Sequence, residues 1–225
     1  MTKHAIFILC IVLTACHSKA QEKDNVTTKT MDSDKITLIA PQETGATLLD
    51  AMKKRASVRE FADTGLTLEQ LSGILWAAAG QNRPDGKLTT PSAMGLYPVK
   101  VYAVLQNGIY LYNSKEHTLT LVKKGDHRRM AGTQDFVYTA PLNLMYVSDL
   151  DKFDERKPAY PTLEERLFVS ALDAGHYSQS VALWAVANGM GSVPRGWTNE
   201  EEFLKAIDAP ANYRVVLAQT VGVLK

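Results

Sequence analysis

Beyond its first sixteen residues this 225-residue chain has no cysteine; the two it carries are Cys10 and Cys16. That excludes a disulfide framework in the body of the protein, and any zinc or iron–sulfur site built on thiolates. An excess of one charge is missing too. Lys plus Arg number 25 against 24 Asp plus Glu, a formal net charge of +1, so no basic field exists to condense on nucleic acid. No apolar run reaches the roughly 20 residues that a membrane-spanning helix needs. The five histidines, at positions 4, 17, 117, 127 and 176, lack metal-ligand spacing, and no metal site is expected. There is no Walker loop, His-Glu-x-x-His or Gly-x-Ser-x-Gly. Gly189-Met190-Gly191 follows a helical stretch rather than a strand, which fails the context of a dinucleotide fingerprint.

What remains is 45% hydrophobic and 22% charged, enough apolar material for the core of one globular domain. Lys3 and His4 lead into the apolar run Ala5 to Leu13, followed by Thr14, Ala15 and Cys16, the pattern of a secretory signal. Leu13-Thr14-Ala15-Cys16 looks like a bacterial lipobox, whose Cys is lipidated and becomes the new N-terminus. A rival cut follows Ala20 in Ser18-Lys19-Ala20 and would leave a soluble periplasmic protein. Residues 1–20 are thus expected to be a signal peptide and 21–35 a polar tether with too little apolar surface to order itself. Residues 36–225 form the expected folded domain. The expected location is periplasmic or facing the cell envelope, with a lipid anchor at Cys16 as the only membrane attachment.

Within that domain the patterning alternates. Thr47 opens a short helix to about Lys54, and Thr67-Leu68-Glu69-Gln70 opens a second that Gly80 stops. Val99 to Leu105 and Ile109 to Tyr112 read as strands around an Asn107-Gly108 turn, with a third at Thr118 to Val122. A helix is expected from Asp126 to Phe136 and a buried strand from Leu142 to Val147. A long helix capped at Thr162 runs to Asn188-Gly189, and it is rich in Ala, Ser and Gly. A helix near Glu200 to Ile207 and a strand from Tyr213 to Val221 follow. The expected class is α+β with one mostly antiparallel sheet flanked by helices.

Two segments carry candidate chemistry. In Arg55-Ala56-Ser57-Val58-Arg59, an extended backbone puts residues 55, 57 and 59 on one side. Two guanidiniums flanking a hydroxyl would grip a phosphate; the same residues also read as a solvated basic helix end. The second is the long stretch from Gly80-Gln81-Asn82-Arg83 to Pro91-Ser92-Ala93-Met94-Gly95-Leu96-Tyr97-Pro98. Its small residues let backbone amides approach a flat ligand, or it is an irregular connection held by prolines. His176, on the long helix, is expected to be satisfied by a helix–helix hydrogen bond.

Together these segments resemble the nitroreductase superfamily of FMN flavoproteins, and within it the SagB-type (thiazole/oxazole dehydrogenase-like) branch, over roughly residues 36 to 225. The resemblance rests on Arg-x-Ser-x-Arg-x-Phe at 55–61, Leu-Trp-Ala-Ala-x-Gly at 75–80, and Pro-Ser-Ala with Leu-Tyr-Pro at 91–98. Asp173-Ala174-Gly175-His176, Gln179 and Gly191-Ser192-Val193-Pro194 follow in order. It implies a homodimer with FMN at the interface, each site built from both subunits, and NAD(P)H as a possible electron donor. By the resemblance Arg55 and Ser57 would hold the FMN phosphate, with Lys225 the one basic residue at the C-terminus for that role. Arg59 would lie near the N1–C2 side of the ring. Ser92 and Ala93 would line the ring and ribityl chain, with Pro91 among the cofactor-binding residues and Gly95 in the family's Asn-containing loop, and Gln179 would stand beside the flavin. The backbone after Pro194, at Arg195 and Gly196, would face N5 and O4. The implied activity is that of an FMN-dependent oxidoreductase passing hydride or electrons through flavin N5, by a ping-pong mechanism, to a small conjugated acceptor. Alternatives are dehydrogenation of peptide-derived azoline heterocycles, or a non-catalytic flavin-binding lipoprotein.

Overall fold

Three threonines set the starts of three helices. Thr47 Oγ1 accepts from the Asp50 N–H ahead of α1 (Leu48–Lys54). Thr67 with Gln70, and Thr162 with Glu165, form reciprocal capping boxes ahead of α2 (Leu68–Ala79) and α4 (Leu163–Ala187), each satisfying donors that a helix N-terminus leaves orphaned. Two short helices complete the set, α3 (Asp135–Thr139) and α5 (Glu200–Ala206). These elements come from a computed structural model that describes residues 33–225 apart from Thr44 and Lys157. The expected signal peptide and nearly all of the expected tether lie outside the described residues.

Among the described residues seven strands form one sheet: β1 (Lys35–Thr37), β2 (Val99–Leu105), β3 (Gly108–Asn113), β4 (Thr118–Lys124), β5 (Leu142–Asp149), β6 (Met190–Arg195) and β7 (Tyr213–Val223). Their spatial order is β1-β4-β3-β2-β5-β7-β6, and neighbouring strands are antiparallel. The fold is therefore the expected one, an antiparallel sheet flanked by helices. Strand alternation sorts β5 between two cores. Leu142, Leu144 and Tyr146 face α2 and α4, meeting Leu71, Ile74, Tyr177 and Val181. Met145 and Val147 face the other side, toward Val137, Phe203 and Ile207. All five β5 side chains are fully buried, each stabilising the fold by about 1.5–3 kcal/mol. That two-sided burial is why β5 reads as a continuous apolar run. Small residues of the long helix, Ala174, Ala182 and Ala185, are buried, and a glycine opposite makes room for a large one: the Trp184 indole of α4 lies where a Cβ on Gly73 of α2 would sit.

Three expectations need correction. The span from Asp126 to Phe136 is not one helix. It is a 3-10 turn, Arg128–Ala131, then extended Gly132, then α3. Asp126 accepts from the Arg128 N–H but is not the cap of that turn, which is His127 with no side-chain cap hydrogen bond; a Cβ at Gly132 would lie 2.2 Å from Arg195 Nη1, so the position takes glycine, a weak helix former. The hairpin loop is Gln106–Asn107, and Gly108 already pairs with Leu105 as the first residue of β3. Finally, β6 was not anticipated: it contains Gly191 and Pro194, residues that sheets tolerate at edges.

As the edge strand, β6 is extended by chain from elsewhere. Ser57 bridges to Ser192, the Val58 N–H donates to Ser192 O at 3.0 Å, and Phe61 bridges to Leu224. Gly191 and Gly222 face each other across β6 and β7. A Cβ on Gly191 would lie 2.8 Å from Val58 Cβ and from Leu224 Cδ2; one on Gly222 would lie 2.8 Å from the Phe61 ring. Residues 57–61 are seated on this glycine pair. Gly191→Ala is expected to cost about 1–3 kcal/mol by overpacking and to lift the 57–59 segment; unchanged stability in urea unfolding would contradict this seating.

Candidate active site

Arg55 ends α1, its N–H donating to Ala51 O at 2.9 Å, and the chain then runs onto the β6 edge. Val58 turns in toward Gly191, leaving Ser57 and Arg59 exposed and Arg55 half-buried. Among the described residues no carboxylate lies within ion-pair distance of Arg55 or Arg59. Lys225 reaches the same edge beside the Phe61–Leu224 bridge, with Nζ 4.0 Å from Glu60 Oε2. Both side chains of that pair are mostly exposed, so it contributes little. Following β6 from Ser192, the partner of Ser57, four residues lead to Gly196, about 13 Å along a strand. Pro194 and Gly196 are exposed, and nothing lies within 4 Å of the position a Gly196 Cβ would take. One end of this edge thus offers free cations and a hydroxyl, and the other an exposed backbone. Gln179 on α4 is exposed and lies level with Pro194: the preceding Ser178 carbonyl accepts from Gln219 Nε2, and Gln219 is the cross-strand partner of Pro194.

The Arg195 side chain is not part of that exposed surface. It is 5% exposed and points inward. Its Nε donates to Thr220 Oγ1 at 2.9 Å, Nη1 to Ala131 O at 3.0 Å and Trp197 O at 3.2 Å, and Nη2 to Asn143 Oδ1 at 3.2 Å. Motif reading assigned Arg195 through its backbone alone and gave no hint of this buried cluster.

The stretch from Gly80 to Pro98 is strapped to α2 and α4. Thr89 Oγ1 donates to Trp76 O and Thr90 Oγ1 to Ala78 O, both at 3.0 Å, satisfying carbonyls that a helix C-terminus leaves free. Ser92 Oγ donates to Asp173 Oδ2 at 2.5 Å and accepts from the Tyr97 N–H at 2.9 Å, while the Ala93 N–H donates to Asp173 Oδ1 at 3.4 Å. The Ser92 hydroxyl proton is therefore committed inward. Outward this loop presents Pro91, Gly95 and the exposed Met94 side chain, with Met94, Gly95 and Tyr97 in the left-handed region (φ 53, 67 and 48). Asp173, on α4 and 2% exposed, is the residue that holds this loop, a role the motifs do not assign; a carboxylate amid the apolar residues of a long helix is its signal. His176 does not make the expected helix–helix bond. It is exposed and has no hydrogen-bond partner among the described residues.

The structure brings Arg55, Ser57, Arg59, Pro194, Arg195, Gly196 and Lys225 to one sheet edge, with Gln179 alongside. It does not bring Pro91, Ser92, Ala93 and Gly95 to them. Ala93 packs with Leu150, Phe153 and Val169 beyond the far end of β5. Ser57 lies level with Leu142, at the start of β5, through the pairings Ser192–Val221 and Val221–Leu142. Eight strand residues, roughly 26 Å, separate Ser57 from that loop, while Pro194 lies level with Leu144 through Gln219 and Gln179 stands six residues, about 9 Å, along α4 from Asp173, which holds Ser92. Between α1 and α4 lies a cleft of about 500 Å³ lined by Leu48, Ala51, Trp76, Leu183 and Trp184.

Burial pushes the Asp173 carboxyl above its ordinary value of 3.8, against the pull of the Ser92 and Ala93 hydrogen bonds. The folded protein thus keeps a proton on Asp173 that the unfolded chain releases near 3.8. From that pH upward to the raised value, this group's contribution to stability falls as pH rises. In urea unfolding, the stability of the protein relative to Asp173→Asn is therefore expected to decline from acid toward neutral pH. A relative stability that rises over that window would contradict the assignment.

The model of the nitroreductase family matches residues 52–223. A protein assigned as a nitroreductase in Methanocaldococcus jannaschii is 31% identical over 180 residues, 72% of this chain and 86% of that one. A crystal structure assigned as a nitroreductase, from Ralstonia eutropha, has a TM-score of 0.79 and 36% identity, covering 86% of this chain and 91% of that chain. The NADPH:FMN oxidoreductase of Vibrio harveyi, solved with NAD+, shares the fold alone, with a TM-score of 0.55 at 20% identity over 79% of this chain and 69% of that chain. The match runs from within α1 to the end of β7 and takes in β6 and residues 57–61 seated on it: the chain belongs to the nitroreductase family.

Proposed function

We propose that this protein is an FMN-dependent oxidoreductase that reduces a small conjugated acceptor, working as a homodimer with NAD(P)H as a candidate donor. The observation that carries the reading is the β6 edge. Unpaired Arg55 and Arg59 with the Ser57 hydroxyl lie at one end, and an open, exposed backbone at Pro194–Gly196 lies about 13 Å away. An elongated ligand with a phosphate on one end and a flat ring on the other fits that donor set. Arg55 and Ser57 would bind the phosphate with charge-assisted hydrogen bonds, and Lys225 adds a third cation. Arg59, two residues on, would lie toward the N1–C2 side of the ring, where a positive charge favours the reduced anion. The backbone at Arg195 and Gly196 would face the ring's reactive edge, with Gln179 beside it. Bound flavin supplies two-electron transfer, accepting from a donor and giving to an acceptor in alternate half-reactions. The chain's part is to hold the ring, tune its charge and shape the cleft.

The dimer reading is supported by the roughly 26 Å of strand between the Arg55–Arg59 end of the edge and the Pro91–Gly95 loop of the same chain. A second copy would bring its Pro91–Gly95 loop to the β6 edge of the first. Leu48, Leu49 and Met52 on α1, with Leu163, Phe168 and Leu172 on α4, are each more than half exposed, an apolar surface of the kind that subunits cover. Residues 91–98 support placement in the SagB-type branch. The N-terminal pattern supports export with a lipid anchor at Cys16.

The phosphate assignment is tested by titrating the apo-protein with FMN. Arg55→Ala is expected to weaken binding by about 1.5–3 kcal/mol, the loss of a hydrogen bond to a charged group. An affinity unchanged from that of the unsubstituted protein would refute the role of Arg55.

A further inference from the structure

Arg195 is buried without a counter-ion. Its four acceptors, Thr220 Oγ1, Asn143 Oδ1 and the carbonyls of Ala131 and Trp197, are all neutral. Among the described residues no carboxylate lies within ion-pair distance of it. Burial pulls the guanidinium down to about 10, still far above neutral, so the charge persists. Moving a cation out of water is costly unless it is paired, and four neutral acceptors would bind a neutral donor without that cost. The charge itself therefore calls for an explanation.

Its location supplies one. The side chain starts from the last residue of β6 and folds back under the loop that follows, holding the Trp197 carbonyl. The same nitrogen holds Ala131 O, and Asn199 Nδ2 donates to Arg129 O at 2.9 Å, so loop 195–199 is fastened to the 128–132 turn. In a trans peptide the carbonyl and the N–H point in opposite directions. Drawing the carbonyls of Ala131 and Trp197 inward therefore aims the N–H groups of Gly132 and Thr198 away from the guanidinium. Gly132 leaves the room for this, since a Cβ there would overlap Nη1. Trp197, 72% exposed, rides on the loop so fixed.

We propose that Arg195 is a positioning residue for the flavin face: it pins loop 195–199, and its uncompensated charge, lying behind the backbone that faces the ring, biases the bound flavin toward the reduced state. This rests on the flavin reading above. The planar fork accounts for the arginine, because a lysine ammonium cannot span acceptors on β5, β7 and two loops at once. The uncompensated charge accounts for its being a cation at all.

Three variants separate pin from charge. Arg195→Met removes both, Arg195→Lys keeps the charge without the fork, and Asn143→Asp keeps the fork but sets a carboxylate against it. With FMN bound, Arg195→Met and Asn143→Asp are expected to lower the flavin midpoint potential, and Arg195→Lys to hold it nearer the original. The ratio of reduced to oxidised flavin affinity should fall on the order of tenfold, about 30 mV for a two-electron couple. In apo-protein, with no flavin present, chymotryptic cleavage after Trp197 should quicken several-fold in both Arg195 variants and not in Asn143→Asp. Equal potentials in all proteins, or equal drops for Met and Lys, would overturn the charge role; unchanged cleavage would overturn the pin. If the Arg195 variants do not fold, Asn143→Asp decides the charge role alone. An unsubstituted protein that binds no FMN sinks the parent reading, whereas normal binding with an unmoved potential sinks only this one.

Discussion

The structure depends on how the β6 edge is closed. An edge strand presents unpaired N–H and C=O groups, and β6, with a glycine and a proline in six residues, has little side-chain packing of its own to protect them. Residues 57–61 take that place through the Ser192 carbonyl and the seats above Gly191 and Gly222. The same closure that completes the sheet turns Ser57 and Arg59 outward and brings Lys225 beside them. The phosphate end of the proposed site is thus a by-product of how the sheet is finished.

Behind that edge the core is cross-linked by polar groups. Tyr146 OH donates to Gln219 Oε1 at 2.7 Å, and Gln219 Nε2 donates to Ser178 O and Ser192 Oγ. Thr220 Oγ1 donates to Asn143 Oδ1 at 2.7 Å, and that oxygen also receives Arg195. Buried polar groups are tolerated only when bonded, and these bonds tie β5, β6 and β7 to one another and, through Ser178, to α4. At the far end of the sheet Asp173 does the same for the Pro91–Gly95 loop. The loop and the Arg55–Arg59 segment are therefore each held on their own scaffold, at opposite ends of β5.

Much of this was legible in the sequence, for local reasons. Thr47, Thr67 and Thr162 announce helices because capping is a short-range hydrogen bond. The β2 and β5 strands show as apolar runs because both their faces are covered. The Arg-Ser-Arg and Pro-Ser-Ala segments were visible as motifs, and the structure places both on the surface. The misses are where distant contacts decide. The strand β6 is hidden because its glycine is required by Val58 and Leu224, more than thirty residues away on either side. The glycine at 132 is required by Arg195, and the inward turn of that side chain has no local signal at all. The placing of these two motifs at opposite ends of the sheet is likewise a property of the sheet register, not of either motif.

The central claim, that this edge holds a redox-active flavin, is tested most directly by the visible spectrum of the purified protein followed through anaerobic addition of NADH or NADPH and then of a nitroaromatic acceptor. The account predicts a flavin spectrum, released as FMN on denaturation, that bleaches with donor and returns with acceptor. A colourless protein that FMN does not reconstitute would contradict it.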